Sequence, residues 1–380
     1  MIFNKIDIKK YAIIVMLFTF GWCWDFINMA GNYQRIGRLK IFLIAAAVIG
    51  AVNISKKWGK EFGLFFFYIW FIYVLKSMPV FSTIEILIIT ASLFFIPEIF
   101  KNISPKQFQS SIIYTGVLHC IIGVFNLFKI FPVLPITNPH YSTVGMPPVG
   151  FLGQETLLGP YLVVALGFVL KRCIDSAGKI KFLYALISLL HLLIIYKCNS
   201  SMTFGSLAVM SLVFSVFYFG YKFSAIVLSA LSSVFIVACL TIETFAFGSG
   251  RIEPWKDAIE LIKDKPIFGY GTGFWSNAAQ QIAKIRQYEL VWAQLHNDVL
   301  QGLFEWGVVG MAFVLFAICS IAFKSHKLVA KKDIHFVPYV AGFFSLLANC
   351  LGNFTFHIVP HGVLVLMFAY IIINRVKIYA

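Results

Sequence analysis

Residues 250–305 read GRIEPWKDAIELIKDKPIFGYGTGFWSNAAQQIAKIRQYELVWAQLHNDVLQGLFE, the one long polar interruption in an otherwise continuously apolar chain. Arg251 stands at one end, His296, Asn297 and Asp298 stand at the other, and Gly269, Gly271 and Gly273 alternate between them. On either side the chain is built of apolar runs of about 20 residues, the length a helix needs to cross a bilayer. The expected fold is all-α: a polytopic transmembrane helical bundle with one large extracytoplasmic loop containing short helices. A membrane protein that keeps one such loop outside its bilayer, with an arginine and a histidine in it, is placing chemistry or recognition there.

Composition agrees with that reading. Of 380 residues, 60% are hydrophobic and 12% charged, with a mean hydropathy of +0.85. Soluble domains carry about 25% charged residues. The formal charge of +15 would suit nucleic acid, but its placement does not. Lysines and arginines gather at the ends of apolar runs (Lys9 and Lys10, Lys56 and Lys57, Lys171 and Arg172, Lys331 and Lys332), where positive residues set orientation. No basic stripe is interleaved with aromatics, so no nucleic-acid partner is expected. The seven cysteines are scattered singly, with none in the polar stretch and no C-x-x-C pair. They read as small core residues rather than as disulfides or metal ligands. The N-terminal run has basic residues before it but no small-x-small cleavage site, and reads as an uncleaved first helix.

Hydropathy places spans near 11–29, 38–55, 61–77, 82–100, 109–131, 153–170, 182–198, 201–220, 223–242, 298–323, 336–356 and 361–375. This is about 12 spans. The chain then divides into N-terminal transmembrane helices (1–150), central transmembrane helices (151–242), the large extracytoplasmic loop (243–297) and C-terminal transmembrane helices (298–380). An even count puts both termini on one side, and Lys9, Lys10, Arg375 and Lys377 make that side cytoplasmic. Arg35, Arg38 and Lys40 run against the rule in the first hairpin.

Within the loop, Pro254 suits a first helical turn, with Ser249 or Glu253 near the capping positions. Trp255, Ala258, Ile259 and Ile262 then recur on one face, opposite Lys256, Asp257, Glu260 and Lys263, until Pro266 closes the helix. Such a helix lies on the bilayer surface or packs on the bundle, with packing the favoured alternative. The alternating glycines permit a sharp turn that would present N–H groups to an anion, or a plain turn. Arg251 either pairs with Glu253 or a lipid headgroup, or grips a diphosphate with its forked guanidinium. His296 immediately precedes an apolar helix, with Asn297 as its cap, and a helix N-terminus keeps an imidazole neutral and able to accept a proton. Asp298, Gln301 and Glu305 follow along that helix, where acidic groups face a cavity or a partner. Asn349, Asn353 and His357 recur every four residues on the eleventh span, with His361 beyond, as a second polar stripe. Trp255, Trp275, Trp292 and Trp306 suit an interfacial belt, and flat rings also stack on sugars.

Three of these motifs together are familiar. Arg251-Ile252-Glu253-Pro254-Trp255, Pro266-Ile267-Phe268-Gly269-Tyr270-Gly271-Thr272-Gly273-Phe274 and His296-Asn297-Asp298-Val299-Leu300 resemble the signature of the O-antigen ligase and polymerase superfamily. Upstream, Gly150-Phe151-Leu152-Gly153-Gln154-Glu155-Thr156-Leu157-Leu158-Gly159-Pro160-Tyr161-Leu162 resembles the family's glycine-rich approach to a central helix. The likeness covers roughly residues 145–315.

The resemblance implies a membrane glycosyltransferase of surface-polysaccharide assembly, multi-pass in the bacterial cytoplasmic (inner) membrane. Its donor would be a polyprenyl-diphosphate-linked oligosaccharide and its acceptor a glycan or a lipid core. Membrane lipids surround it, a chain-length regulator is a further partner, and no metal or nucleotide cofactor is implied. Catalysis would fall to His296 on the acceptor hydroxyl or the departing diphosphate, and to Arg251 on that diphosphate. Lys197, Trp255, Gly271, Gly273, Asn297, Asp298 and Glu305 would line the substrate site. Many relatives carry a Ser-Arg pair where this chain reads Asn199-Ser200-Ser201-Met202-Thr203-Phe204, leaving Lys197 to supply a second positive charge. The family's Asn in the glycine-rich stretch is replaced here, with Thr156 near its place. The shared signature does not separate polymerase from ligase; polymerase is slightly preferred, because every distinct glycan requires its own. A transporter or flippase of lipid-linked glycans is the rival reading, and it gives His296 no chemical task.

Overall fold

The computed structural model describes residues 40–76, 80–128, 148–150, 152, 154–224, 226, 251–287, 294–357 and 359–375. Among them every regular element is helical. The first seven helices are α1 (Lys40–Trp58), α2 (Lys60–Lys76), α3 (Val80–Asn102), α4 (Pro105–Leu127), α5 (Glu155–Asp175), α6 (Gly178–Lys197) and α7 (Ser201–Phe219). Then come α8 (Ile252–Asp264), α9 (Trp275–Arg286), α10 (Asp298–Ala330), α11 (Val337–Asn349) and α12 (Val359–Asn374), with a short 3-10 turn at Thr355–His357. Helices α4, α5, α6, α7 and α10 are long and apolar enough to cross a membrane, while Ile334–Asn349 and Pro360–Asn374 are apolar but shorter. The expected span at 11–29 and most of that at 223–242 lie outside the described residues.

Helix α5 is the axis of the bundle. It is apolar all round from Leu158 to Val169, and a helix of that kind belongs inside. It packs on α4, α6, α7 and α11. Small residues set the approach: a methyl added at Gly159 would collide with Thr203 of α7, and one at Gly116 of α4 would lie 2.6 Å from Ala165. Pro160 sits inside α5 and has no N–H, so the Thr156 carbonyl one turn earlier loses its helical donor. The Asn353 side chain supplies it, Nδ2 to Thr156 O at 3.0 Å. Helix α6, in contrast, fully buries only Ser188, His191, Ile194 and Ile195, with Tyr184, Ile187 and Leu190 packed partly buried against the core.

Helix α10 is broken at Gly307, where φ is 62° and ψ is −172°. A break in a helix leaves carbonyls before it and amides after it without partners, which is costly where water is scarce. The glycine-rich segment answers both sets. Tyr270 N and Gly271 N donate to the carbonyls of Phe304 and Glu305 at 2.8 and 2.7 Å, and Val308 N and Val309 N donate to Pro266 and Ile267 at 2.8 and 3.2 Å. The loop is held a second way, by an apolar core of Ala258, Trp275, Ala278, Ala279, Leu295 and Phe304, with Trp255, Leu261 and Ile262 against it.

Three expectations are corrected here. The α8 helix does pack, but its buried arc is turned toward Pro254 and Leu261, so Ile259 faces outward. Its N-cap is Arg251, with no side-chain capping bond, rather than Ser249 or Glu253. The eleventh span ends at Asn349, because the chain leaves the helix at Cys350 and turns. Asn353 and His357 are therefore placed by a turn, not by a helical stripe.

A methyl at Gly307 would collide with the Ile267 carbonyl, whereas one at Gly178, which has a similar φ of +55°, would meet nothing within 4 Å. Both alanine variants bear the backbone strain, of order 1–3 kcal/mol. Gly307→Ala is expected to lower the thermal unfolding midpoint of the detergent-solubilised protein clearly more than Gly178→Ala does. Equal shifts would mean that the loop–helix joint is not closely packed.

Candidate active site

The site forms around the turn from Cys350 to His357, on which several distant segments converge. Asp298 N donates to Cys350 O at 2.9 Å, and Arg251 Nη1 donates to Gly352 O at 2.8 Å. Met202 packs so closely on Gly352 that an added methyl would lie 2.5 Å from its sulfur. Asn353 reaches Thr156, and His361 Nε2 lies 3.0 Å from the Leu157 carbonyl. Each of these partners belongs to the first turn or the cap of its helix: Thr156 and Leu157 to α5, Met202 to α7, Arg251 to α8 and Asp298 to α10. Four helix N-termini thus meet at one place, each carrying the positive end of its macrodipole.

His296 is held in this cluster by its neighbours. Trp255 Nε1 donates to the Leu295 carbonyl at 2.8 Å, and Leu295 N donates to Gln301 Oε1 at 2.9 Å. Asn297 caps α10 by accepting from Leu300 N at 3.0 Å, as its residue type predicts. Between these anchors His296 adopts φ 53°, in the left-handed region, which histidine tolerates better than most residues. Its ring stands edge-on to Phe354, with centroids 4.5 Å apart. Burial, and then the charge of nearby Arg251, push the imidazole from its ordinary 6.5 down to about 3. Burial also pulls the Arg251 guanidinium down from its usual value, yet an arginine stays charged. Arg251 Nε is buried with no hydrogen-bond partner among the described residues.

Beneath the turn lies a chain of buried polar side chains. Asp298 accepts from Phe356 N at 2.9 Å and pairs with His357 Nδ1 at 2.7 Å. His357 Nε2 is 3.0 Å from Gln301 Nε2, which donates to Glu305 Oε1 at 3.0 Å. Asp298 and His357 also border an apolar cavity of about 310 Å³ that runs among α2, α3, α10, α11 and α12, past Phe62, Leu93, Trp306, Ile321, Phe343 and Leu366. Among the described residues no three His, Cys, Asp or Glu side chains converge as metal ligands would.

Of the residues singled out from the sequence, Arg251, Trp255, His296, Asn297, Asp298 and Glu305 are therefore brought together. Gly271 and Gly273, at φ 111° and 70°, are buried in the loop–helix joint, and the Gly271 N–H is committed to Glu305 O. Trp255, Trp275 and Trp306 are likewise engaged: Trp255 on Leu295, Trp275 inside the loop core and Trp306 on Thr272 Oγ1 at 2.9 Å. Lys197 is exposed at the end of α6, with Tyr196 as the ring beneath it, and joins none of the contacts around Arg251. Sequence reasoning missed Gly352, whose contribution is a carbonyl, and Phe354. The one available signal was the polar spacing of Asn353 and His357 in an apolar run.

Residues 163–315 match the family model described as O-Antigen ligase, a segment that includes Arg251 and His296. No curated protein matches the chain.

The fold keeps His296 neutral at a pH where the unfolded chain takes up a proton. Its contribution to stability is therefore complete above pH 6.5 and is lost as the pH falls from there toward 3. His296→Asn has no titrating group and suits the left-handed backbone. That variant should lose less stability than the wild type between pH 7 and 4.5, measured as the shift in unfolding midpoint. Parallel pH curves for the two proteins would contradict a buried, neutral His296.

Proposed function

We propose the following function for a chain that belongs, through residues 163–315, to the O-antigen ligase and polymerase superfamily. It transfers a glycan from a polyprenyl-diphosphate donor to a sugar hydroxyl, at the extracytoplasmic face of the bacterial cytoplasmic membrane. The observation that carries this reading is the joint anchoring of Arg251 and His296 on one turn, where four helix N-termini meet. Positive dipole ends and a forked guanidinium are what a diphosphate requires. Arg251 spends one N–H on Gly352 O and keeps others for the ligand. The apolar cavity that begins at Asp298 and His357 gives a polyprenyl chain a place beside its diphosphate.

In the reaction the acceptor oxygen attacks the anomeric carbon of the donor. The bond from that carbon to the diphosphate oxygen breaks, and its electron pair stays with the diphosphate. His296 takes the proton of the attacking hydroxyl and passes it to the departing diphosphate or to water. Alone, an imidazole depressed to about 3 is a weak base. An anion beside it raises its proton affinity, so arrival of the donor strengthens the base at the moment it is needed. Arg251 balances the charge that grows on the leaving oxygen. Trp255 and Asn297 fix the backbone on either side of His296, and Lys197 adds positive charge at the same end of the bundle.

The test is a gel profile of surface polysaccharide in a deletion strain complemented with wild type, His296→Asn or Arg251→Gln. Each variant is expected to lose about 100-fold or more of product formation. In the deletion, a lipid core capped by a single repeat marks the enzyme as a polymerase. Loss of all capped product, with long lipid-linked chains accumulating, marks a ligase. Full complementation by both variants would sink the transferase reading and leave a transporter of lipid-linked glycans.

A further inference from the structure

The turn at 350–357 carries the acceptor for Arg251 and the ring against His296, yet it lies beyond the last regular hydrogen bond of α11. Something must hold it still. Asp298 touches both of its ends: its own N–H donates to Cys350 O at 2.9 Å, and its carboxylate accepts from Phe356 N at 2.9 Å and meets His357 Nδ1 at 2.7 Å. Gly352 and Phe354 hang between those two ends. Asp298, Gln301, Glu305 and His357 are all nine-tenths or more buried.

The far side of the imidazole is fixed as well. Gln301 is oriented by accepting from Leu295 N through Oε1 and by donating through Nε2 to Gln294 Oε1 at 2.6 Å and Glu305 Oε1 at 3.0 Å. Its nitrogen, not its oxygen, therefore faces His357 Nε2 at 3.0 Å. The Gln301 amide has two hydrogens for three neighbours, whereas the His357 Nδ1–H donates to the Asp298 carboxylate, which can only accept. The Glu305 carboxylate stands farther off, with Oε2 at 3.9 Å from Nε2. Both ring nitrogens are thus engaged within the protein. The chain Asp298–His357–Gln301 ends on the backbone of Leu295, next to His296.

We propose that Asp298 and His357 are positioning residues: by clamping the 350–357 turn and bracing Gln301, they hold Arg251 and His296 in register for transfer. This rests on the reading of Arg251 and His296 as the reacting pair. A histidine in this role is a donor and a spacer, and it exchanges no proton with substrate. Asparagine places an amide N–H where Nδ1 stands, so it preserves the bond to Asp298 without titrating.

The experiment compares wild type, His357→Ala, His357→Asn and His296→Asn as purified protein in lipid nanodiscs. Turnover of a lipid-linked oligosaccharide donor is followed against pH, and the thermal midpoint of each variant is recorded. His357→Ala is expected to lose about 100-fold in kcat/KM, the scale of a misplaced reacting group. His357→Asn should recover most of that loss and keep the wild-type pH profile. If His357→Asn is as inactive as His357→Ala while remaining folded, or loses one limb of the profile, His357 carries a proton and the positioning role is overturned. Wild-type activity in His357→Ala, with His296→Asn inactive, overturns it also while leaving the proposed function intact. Activity in His296→Asn overturns the functional reading itself. Where His357→Ala does not fold, the profile and activity of His357→Asn decide alone.

Discussion

The structure depends on keeping backbone polar groups paired where water is scarce. Helix α10 is interrupted at Gly307, and the amides and carbonyls it releases are taken up by residues 266–271. Each such group left unpaired in a bilayer costs several kcal/mol, so the polar loop is not an appendage that hangs from the bundle. It completes the secondary structure of α10. Once pinned there, the loop core of Trp275, Ala278, Ala279 and Phe304 orients α8, and α8 carries Arg251 at its first turn. The same rule operates at Pro160, where a missing N–H is answered by Asn353 from the other side of the site. Two helix irregularities, repaired by two different segments, lock the loop and the 350–357 turn to the bundle.

The electrostatics of the site follow from that assembly. The four converging N-termini and Arg251 attract negative charge, and the low water content that strengthens this attraction also strips His296 of its usual affinity for a proton. The two effects oppose each other on His296 and cooperate on an anionic ligand. An anion bound there raises the proton affinity of the neutral imidazole beside it. This links the protonation chemistry of the site to its occupancy without any movement of the backbone.

Much of this was legible in the sequence, and the remainder failed for identifiable reasons. Apolar run length located α4, α5, α6, α7 and α10, the helices long and apolar enough to cross a membrane, because the length of such a helix is set by the bilayer rather than by local propensity. Arg251 and His296 stood out by position, at the two ends of the one long polar stretch. The turn after Asn349 was hidden, since Asn353 and His357 mimic helical spacing and no proline or paired glycine marks the break. The glycines at 269, 271 and 273 signalled a tight turn correctly, but whether their N–H groups face a ligand or a broken helix depends on Gly307, more than thirty residues farther on. Ile259 illustrates a smaller limit: an amphipathic pattern gives the width of the apolar face, and only the partner decides which edge is covered.

The segments that compose the site are far apart in the chain. Thr156 is joined to Asn353, Leu157 to His361 and Arg251 to Gly352. A protein inserted into the membrane from its N-terminus therefore carries α5, α7, α8 and α10 in place before the piece that joins them has left the ribosome. Until α12 is inserted and the 350–357 turn closes over the earlier helices, Arg251 lacks its carbonyl and His296 lacks Phe354. A polypeptide cut short before Cys350 would hold α5, α7, α8 and α10 yet lack both the Arg251–Gly352 bond and the His296–Phe354 contact.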